Sequence, residues 1–235
     1  MIGELRMLGI AHGVLLGLLL ACPLIARGLL PWGIDALLLV GGFHLRLADR
    51  RFAPRAGARE WVSHIMMAPT RLLRWGAAAV VALIAGRSDL AVAVLLAALV
   101  CELLAYPLSS RLLGRITLPP AAAILMLLIA ALGLPGPSTL HLTLSFLTGV
   151  TAAMVWLRGP DGEPRALAVV LGGSVAATAT AFYVPGTLVF AAPTLTVCAA
   201  WTLAQLSLLR RPVTPWRLGI PPIRLRPAAL RSPLP

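Results

Sequence analysis

The sequence predicts an all-α fold: a polytopic helical membrane protein with about eight transmembrane helices and a short helix in the cytoplasmic interface. Of its 235 residues, 59% are hydrophobic and only 12% are charged. The mean hydropathy of +0.91 lies far above that of soluble domains. Long runs of Leu, Ala and Val recur at about the 20 residues that a helix needs to cross a bilayer.

Eight apolar segments are separated by charged or Pro/Gly-containing breaks. The expected crossings are Met7–Ala26, Leu29–Leu45, Leu72–Gly86, Leu90–Leu108, Leu118–Leu134, Leu140–Leu157, Ala166–Tyr183 and Leu188–Leu208. The second and third segments are short. At Arg87 and at Pro185 the alternative is one long kinked helix in place of two, which leaves six or seven crossings.

The distribution of arginine predicts the orientation, because cytoplasmic loops of bacterial-type membrane proteins are enriched in Lys and Arg. With a cytoplasmic amino terminus, eight crossings place only Arg27 and Arg87 on the outer side, out of 20 basic residues. We therefore expect a bacterial-type inner membrane protein with both termini in the cytoplasm.

The connector after the second segment holds Arg50, Arg51, Arg55 and Arg59. We expect these arginines to anchor the topology and to contact anionic lipid headgroups. The net charge of +12 is scattered over the loops of one face, so the lipid bilayer is the expected partner and nucleic acid is not.

The rest of this connector predicts the interfacial helix, over Arg59–Arg74. Its apolar side carries Trp61 and Ile65 at helical spacing, whereas His64 falls among the polar residues of the other side. Pro69 is expected to end or bend this helix.

Ionisable groups inside apolar segments are costly unless they are paired or reach water. Glu102, with Tyr106 one turn further along, and Asp35 are the candidates for a coupling group or a substrate path. The alternative is a neutral or hydrogen-bonded carboxyl that joins helices.

Two histidines, His12 and His44, fall at similar depth on neighbouring antiparallel segments and are candidate haem or metal ligands. The alternative, which we favour, is no resident cofactor and no metal, because a third ligand is missing. His64 and His141 are expected near opposite interfaces, each without a polar cluster. The sequence contains no catalytic motif, so no catalytic residue is assigned and an enzyme is disfavoured.

We expect a helical bundle over residues 1–209, with a weak four-plus-four repeat (1–115 and 116–209), and a Pro/Arg-rich cytoplasmic tail over 210–235. Two functions remain open. The first is a small permease or exporter, with a proton-coupling carboxylate and a polar cavity. The second is a tightly packed scaffold or accessory subunit of a larger membrane complex, with other membrane proteins as partners.

Overall fold

The computed structural model describes residues 2–25, 30–49, 57–66, 68–159 and 164–209, and in these ranges the fold is all helical. The helices are α1 (Ile2–Ile25), α2 (Leu30–Ala48), α3 (Ala58–Met66), α4 (Ala68–Ile84), α5 (Ser88–Val100), α6 (Tyr106–Leu113), α7 (Leu118–Ala131), α8 (Ser138–Arg158), α9 (Pro164–Tyr183) and α10 (Leu188–Leu209). A π turn, Cys101–Ala105, joins α5 to α6 without a break. The tail over 210–235 and Arg50, Arg51 and Arg55 lie outside the described residues.

Within the described residues, three helical segments are long and apolar enough to cross a membrane, namely Ser88–Leu113, Ser138–Arg158 and Leu188–Leu206. Shorter apolar helices cover Leu8–Leu18, Leu72–Ile84, Leu118–Ala131 and Leu167–Tyr183. The prediction of an all-helical fold is thus confirmed for the described residues, whereas three helices, fewer than the eight predicted, are long and apolar enough to span a membrane. Each of the eight predicted segments overlaps one helical segment of the structure.

At both positions where one long kinked helix was the alternative, Arg87 and Pro185, the structure has a turn between two separate helices. Gly86 has φ +76° between α4 and α5, and Gly186 has φ +85° between α9 and α10. Only glycine adopts this left-handed conformation without steric cost, so these two residues allow the chain to reverse within a few positions.

The centre of the bundle is the pair α2 and α8, and α1, α5, α7 and α10 pack around it. Gly42 of α2 faces the backbone of Phe146, and Gly149 of α8 faces the backbone of Leu39. The absence of a side chain at these two positions lets the helix backbones touch, which is a common way of packing helices in lipid.

Helices α4 and α9 complete the bundle from outside. Helix α4 packs on α5 and α1, whereas α9 packs mainly on α10. The core of the bundle includes the fully buried Phe43 and Phe146, and large apolar side chains such as Leu73 and Val175 point outward.

Candidate functional site

A cavity of about 300 Å³ opens among the first turns of α2, α8 and α10 and the turns that precede α5 and α8. We call this side of the bundle the cavity end. The cavity is lined mainly by apolar side chains, with a few polar ones: Pro31, Trp32, Asp35, Ala36, Leu39, Arg87, Leu90, Leu132, Gly136, Ser138, His141, Leu142, Ser145, Val189, Ala192, Pro193 and Thr196. Such a lining, apolar with a few convergent polar groups, is typical of a small-molecule site.

The polar centre of the cavity is Asp35, on the second turn of α2. Its Oδ1 lies 3.1 Å from Nδ1 of His141 and 3.0 Å from the hydroxyl of Ser145. His141 and Ser145 are one turn apart on α8, so both side chains project from the same face toward α2. The expectation that His141 belongs to no polar cluster was therefore wrong.

The second ring nitrogen of His141 fixes its protonation. Nε2 lies 3.0 Å from the carbonyl oxygen of Leu132, and a carbonyl oxygen only accepts hydrogen bonds, so Nε2 carries a proton. Nδ1 faces a carboxylate, which also accepts. The 3.1 Å contact between Nδ1 and Oδ1 needs a second proton between these two atoms, so the pair of Asp35 and His141 holds one proton in addition to that on Nε2.

Arg87 lines the cavity from the turn between α4 and α5, but its guanidinium is engaged elsewhere. Its Nε and Nη2 each donate to one carboxylate oxygen of Asp89, both at 3.2 Å. These hydrogen bonds raise the pKa of Arg87 above its usual value. The positive charge at the cavity is therefore compensated by a neighbouring carboxylate.

A second polar cluster surrounds Glu102 at the opposite end of α5. The Glu102 side chain is 2% exposed. Its Oε1 accepts a hydrogen bond from the indole of Trp75 at 3.4 Å, and its Oε2 lies 3.8 Å from Nε2 of His64. Glu102 is not among the lining residues of the cavity at Asp35, so the predicted polar cavity that reaches Glu102 stays a prediction.

The π turn beside Glu102 has a cause in the sequence. Pro107 lacks an N–H, so the carbonyl four or five residues earlier, that of Leu103 or Glu102, loses its usual helical donor. Within lipid such a carbonyl needs another partner, and a local π turn with side chains from a neighbouring helix can supply one.

Helix α3 supplies these donors. The indole of Trp61 donates to the Leu103 carbonyl at 3.3 Å, and Nε2 of His64 donates to the Glu102 carbonyl at 3.0 Å. The two side chains are three residues apart and share one face of α3. This corrects the sequence prediction, because His64, expected among the polar residues of the other side, is buried against the bundle. The helix predicted over Arg59–Arg74 also ends earlier, at Met66.

Tyr106 and Asp49 extend the second cluster. The phenol ring of Tyr106 stacks on His64, with ring centroids 5.0 Å apart. Its hydroxyl donates to Oδ2 of Asp49 at 3.3 Å, and Arg46 donates to the Asp49 carbonyl at 3.0 Å. These contacts tie the ends of α2, α3 and α6 together.

The predicted ligand His12 is buried and lies edge-on to Trp75, with centroids 5.9 Å apart. Neither of its ring nitrogens has a hydrogen-bond partner among the described residues. Among the described residues there is no group of three or more His, Cys, Asp or Glu side chains arranged around a metal position. Ligation of haem or metal by His12 and His44 stays a prediction.

The structure thus places the predicted residues in two different clusters. Asp35 belongs to the cavity, whereas Glu102 and Tyr106 belong to the cluster at the π turn. His141 and Ser145 could have been suspected from their spacing of four, and Trp61 and His64 from their spacing of three. Of the predicted lipid-binding arginines, Arg59 is described, and it is exposed on α3.

The whole chain was also compared with known proteins. No family model, curated protein or solved structure matches it.

Proposed function

We propose that the protein is a small multi-pass permease of a bacterial-type inner membrane, which binds its solute in the cavity between α2, α8 and α10. The proposed topology has eight crossings, α1, α2, α4, α5 with α6, α7, α8, α9 and α10, and both termini in the cytoplasm. The cavity end then faces outward.

The charges of the connectors support this orientation. At the cavity end, the α1–α2 connection contains Arg27 and the α4–α5 turn contains Arg87, whereas the α7–α8 and α9–α10 connections contain no arginine. The opposite end carries Arg46, Arg111, Arg115 and Arg158 on or beside the helix termini. Positive charge held on one side is the pattern expected of an inner membrane protein.

The cavity is the observation that carries the transport proposal. A non-catalytic scaffold would fill the space between its central helices, whereas here about 300 Å³ remains open beside a charged pair. Below the cavity the path is closed by apolar side chains, among them Leu39 and Leu142, with the fully buried Phe43 and Phe146 in the core. A site open at one end and closed at the other is one state of an alternating-access cycle.

Asp35 is the carboxylate that this proposal places in contact with the solute. Glu102 is buried away from the cavity, and the acceptor atoms of its side chain and backbone face Trp75 and His64. Glu102 therefore serves as an anchor for α3 and for the π turn.

Transport is tested with the purified chain in lipid vesicles, by following uptake of a panel of small cationic, anionic and neutral solutes. Ala192→Phe places a ring in the cavity, and Ala199→Phe places the same ring on an exposed position of the same helix. We expect Ala192→Phe to slow uptake at least tenfold and Ala199→Phe to leave it unchanged. Equal uptake by both variants, or no uptake above empty vesicles for any solute, would contradict the proposal.

The second candidate, an accessory subunit of a membrane complex, is favoured by α9. This helix packs mainly on α10 and leaves Val169, Val175 and Phe182 exposed along its length. A partner helix could cover that surface. A stoichiometric protein that copurifies in mild detergent, and is lost when Val175 is replaced by Trp, would favour this function over solute transport.

A further inference from the structure

Only one of the two carboxylate oxygens of Asp35 makes hydrogen bonds to described residues. Both of its hydrogen-bond donors, His141 and Ser145, reach Oδ1, and Oδ2 has no hydrogen-bond partner among the described residues. Asp35 lines the cavity and its side chain is 25% exposed there. An ionised oxygen without a donor is an acceptor for a group that enters the cavity.

The rest of the lining suits an apolar body. Leucine, proline, alanine and valine side chains from four helices form most of the wall, and Trp32 adds an indole. Aromatic rings and a carboxylate together are the usual means of holding an organic ammonium group. A free anion would meet an unpartnered carboxylate oxygen here, and the guanidinium of Arg87, which lines the cavity, is bound to Asp89.

The charge of the cavity depends on one proton. Among the described residues, the titratable groups that face it are Asp35 from α2, His141 from α8 and Arg87 from the α4–α5 turn, with Asp89 compensating Arg87. The lining residues from α10 and from the end of α7 carry no titratable side chain. When the proton between Nδ1 and Oδ1 is present, the net charge of Asp35 and His141 together is zero. When that proton has left, the net charge of the pair is minus one.

We propose that the cavity binds a monovalent organic cation with an apolar body, in exchange for the proton that the Asp35–His141 pair holds on Nδ1. This inference rests on the proposed transport function and names its substrate class. The cation contacts Oδ2 of Asp35, and the proton leaves Nδ1 of His141 for water at the cavity mouth. Nε2 keeps its proton and its bond to the Leu132 carbonyl.

The exchange follows from the cost of charge in a poorly hydrated site. A cation beside an imidazolium leaves one net positive charge in an apolar cavity, which is unfavourable. A cation beside the deprotonated pair leaves the site neutral. The proton and the cation therefore compete, and charge is conserved in the site as one enters and the other leaves.

Benzyltrimethylammonium is the probe, because it has an aromatic body and a fixed charge and cannot release a proton itself. Its binding to the full chain in detergent is measured by calorimetry in buffers of different ionisation enthalpy. We expect release of about one proton per cation at low pH, and a Kd that falls about tenfold per pH unit until the pair is deprotonated. Binding without proton release, or a Kd independent of pH, would overturn the exchange.

Three variants separate the parts of the site. Asp35→Asn should weaken binding at least tenfold at every pH. His141→Gln removes the imidazolium, so the Kd at about pH 5 should become as low as that of the wild type at about pH 8, across the range in which histidine titrates. Glu102→Gln is the matched control, a buried carboxyl outside the cavity, and should leave the Kd and its pH dependence unchanged. If Asp35→Asn does not fold, the His141→Gln result still decides, because unaltered pH dependence in that variant overturns the proposal.

Different results would reject the cation site and the transport function. Uptake into vesicles that is sensitive to Ala192→Phe but restricted to anions or neutral solutes would keep the permease and reject the cation. Proton-linked binding of benzyltrimethylammonium without any uptake would keep the site and reject transport. If uptake of the cation acidifies the compartment from which the cation is taken, and this uptake is lost in Asp35→Asn, the result supports both the transport function and the cation-for-proton exchange.

Discussion

Replacement of Gly149 by Ala tests the close contact of α2 with α8, on which the position of the cavity depends. A Cβ atom at Gly149 would overlap the carbonyl oxygen of Leu39 and would lie 2.8 Å from its carbonyl carbon and 3.0 Å from the backbone nitrogen of Phe43. These are backbone atoms, which cannot turn aside as a flexible side chain can. The helices must therefore separate.

The size of the effect follows from this geometry. Ordinary contact begins at 3.4 Å, so the Leu39 carbon alone requires a separation of at least 0.6 Å. A gap of about 0.5–1 Å forfeits roughly a quarter to a half of each dispersion contact, and a large buried side chain makes about 40–60 of these at about 0.1–0.2 kcal/mol each. If half of the dispersion contacts of Phe43 and Phe146 cross from one helix to the other, the loss is about 2 kcal/mol. Overpacked cores lose similar amounts.

The assay is unfolding in mixed micelles as the mole fraction of denaturing detergent rises, followed by the fluorescence of the buried tryptophans. Gly172→Ala is the control, because that glycine is exposed on α9 and its Cβ would meet nothing within 4 Å. We expect Gly149→Ala to lose about 2 kcal/mol, a shift of about 30-fold in the folding equilibrium, and Gly172→Ala to change by less than about 0.5 kcal/mol. Equal stability of the two variants would refute the close contact.

Three further outcomes are expected. Trp61→Phe should destabilise the docking of α3 by about 1 kcal/mol, measured as faster amide exchange over residues 58–66. Pro107→Ala restores the missing N–H, so in that background a double-mutant cycle should show that Trp61→Phe costs less docking free energy. Ser88→Cys should react with a membrane-impermeant maleimide on intact cells and Arg115→Cys only after permeabilisation, and the reverse pattern would invert the proposed topology. His12→Phe should stabilise the bundle by about 1 kcal/mol, since two buried nitrogens without partners are removed; loss of stability together with loss of a bound chromophore would instead support ligation by His12.

Much of the fold was predictable because it depends on local properties. The eight apolar segments, the breaks at Arg87 and Pro185 and the discontinuity near Pro69 follow from chain length per crossing and from the chemistry of Gly and Pro. The candidate site was predictable only in part. Asp35 was recognised as an unusual carboxyl in an apolar segment, whereas its partner His141 was assigned to an interface and left without a role.

The sequence by itself determined that this protein is helical, which parts of the chain form apolar helices, and which ionisable groups lie within apolar segments. Tertiary structure alone decided which of those groups meet: Asp35 with His141 across 106 positions, and His64 with Glu102 across 38. Hydropathy and helical period act on neighbouring residues, so they show which face a side chain occupies. They contain no information on how each helix is rotated against the next, and that rotation depends on contacts such as Gly149 with Leu39, whose partners are far apart in the chain.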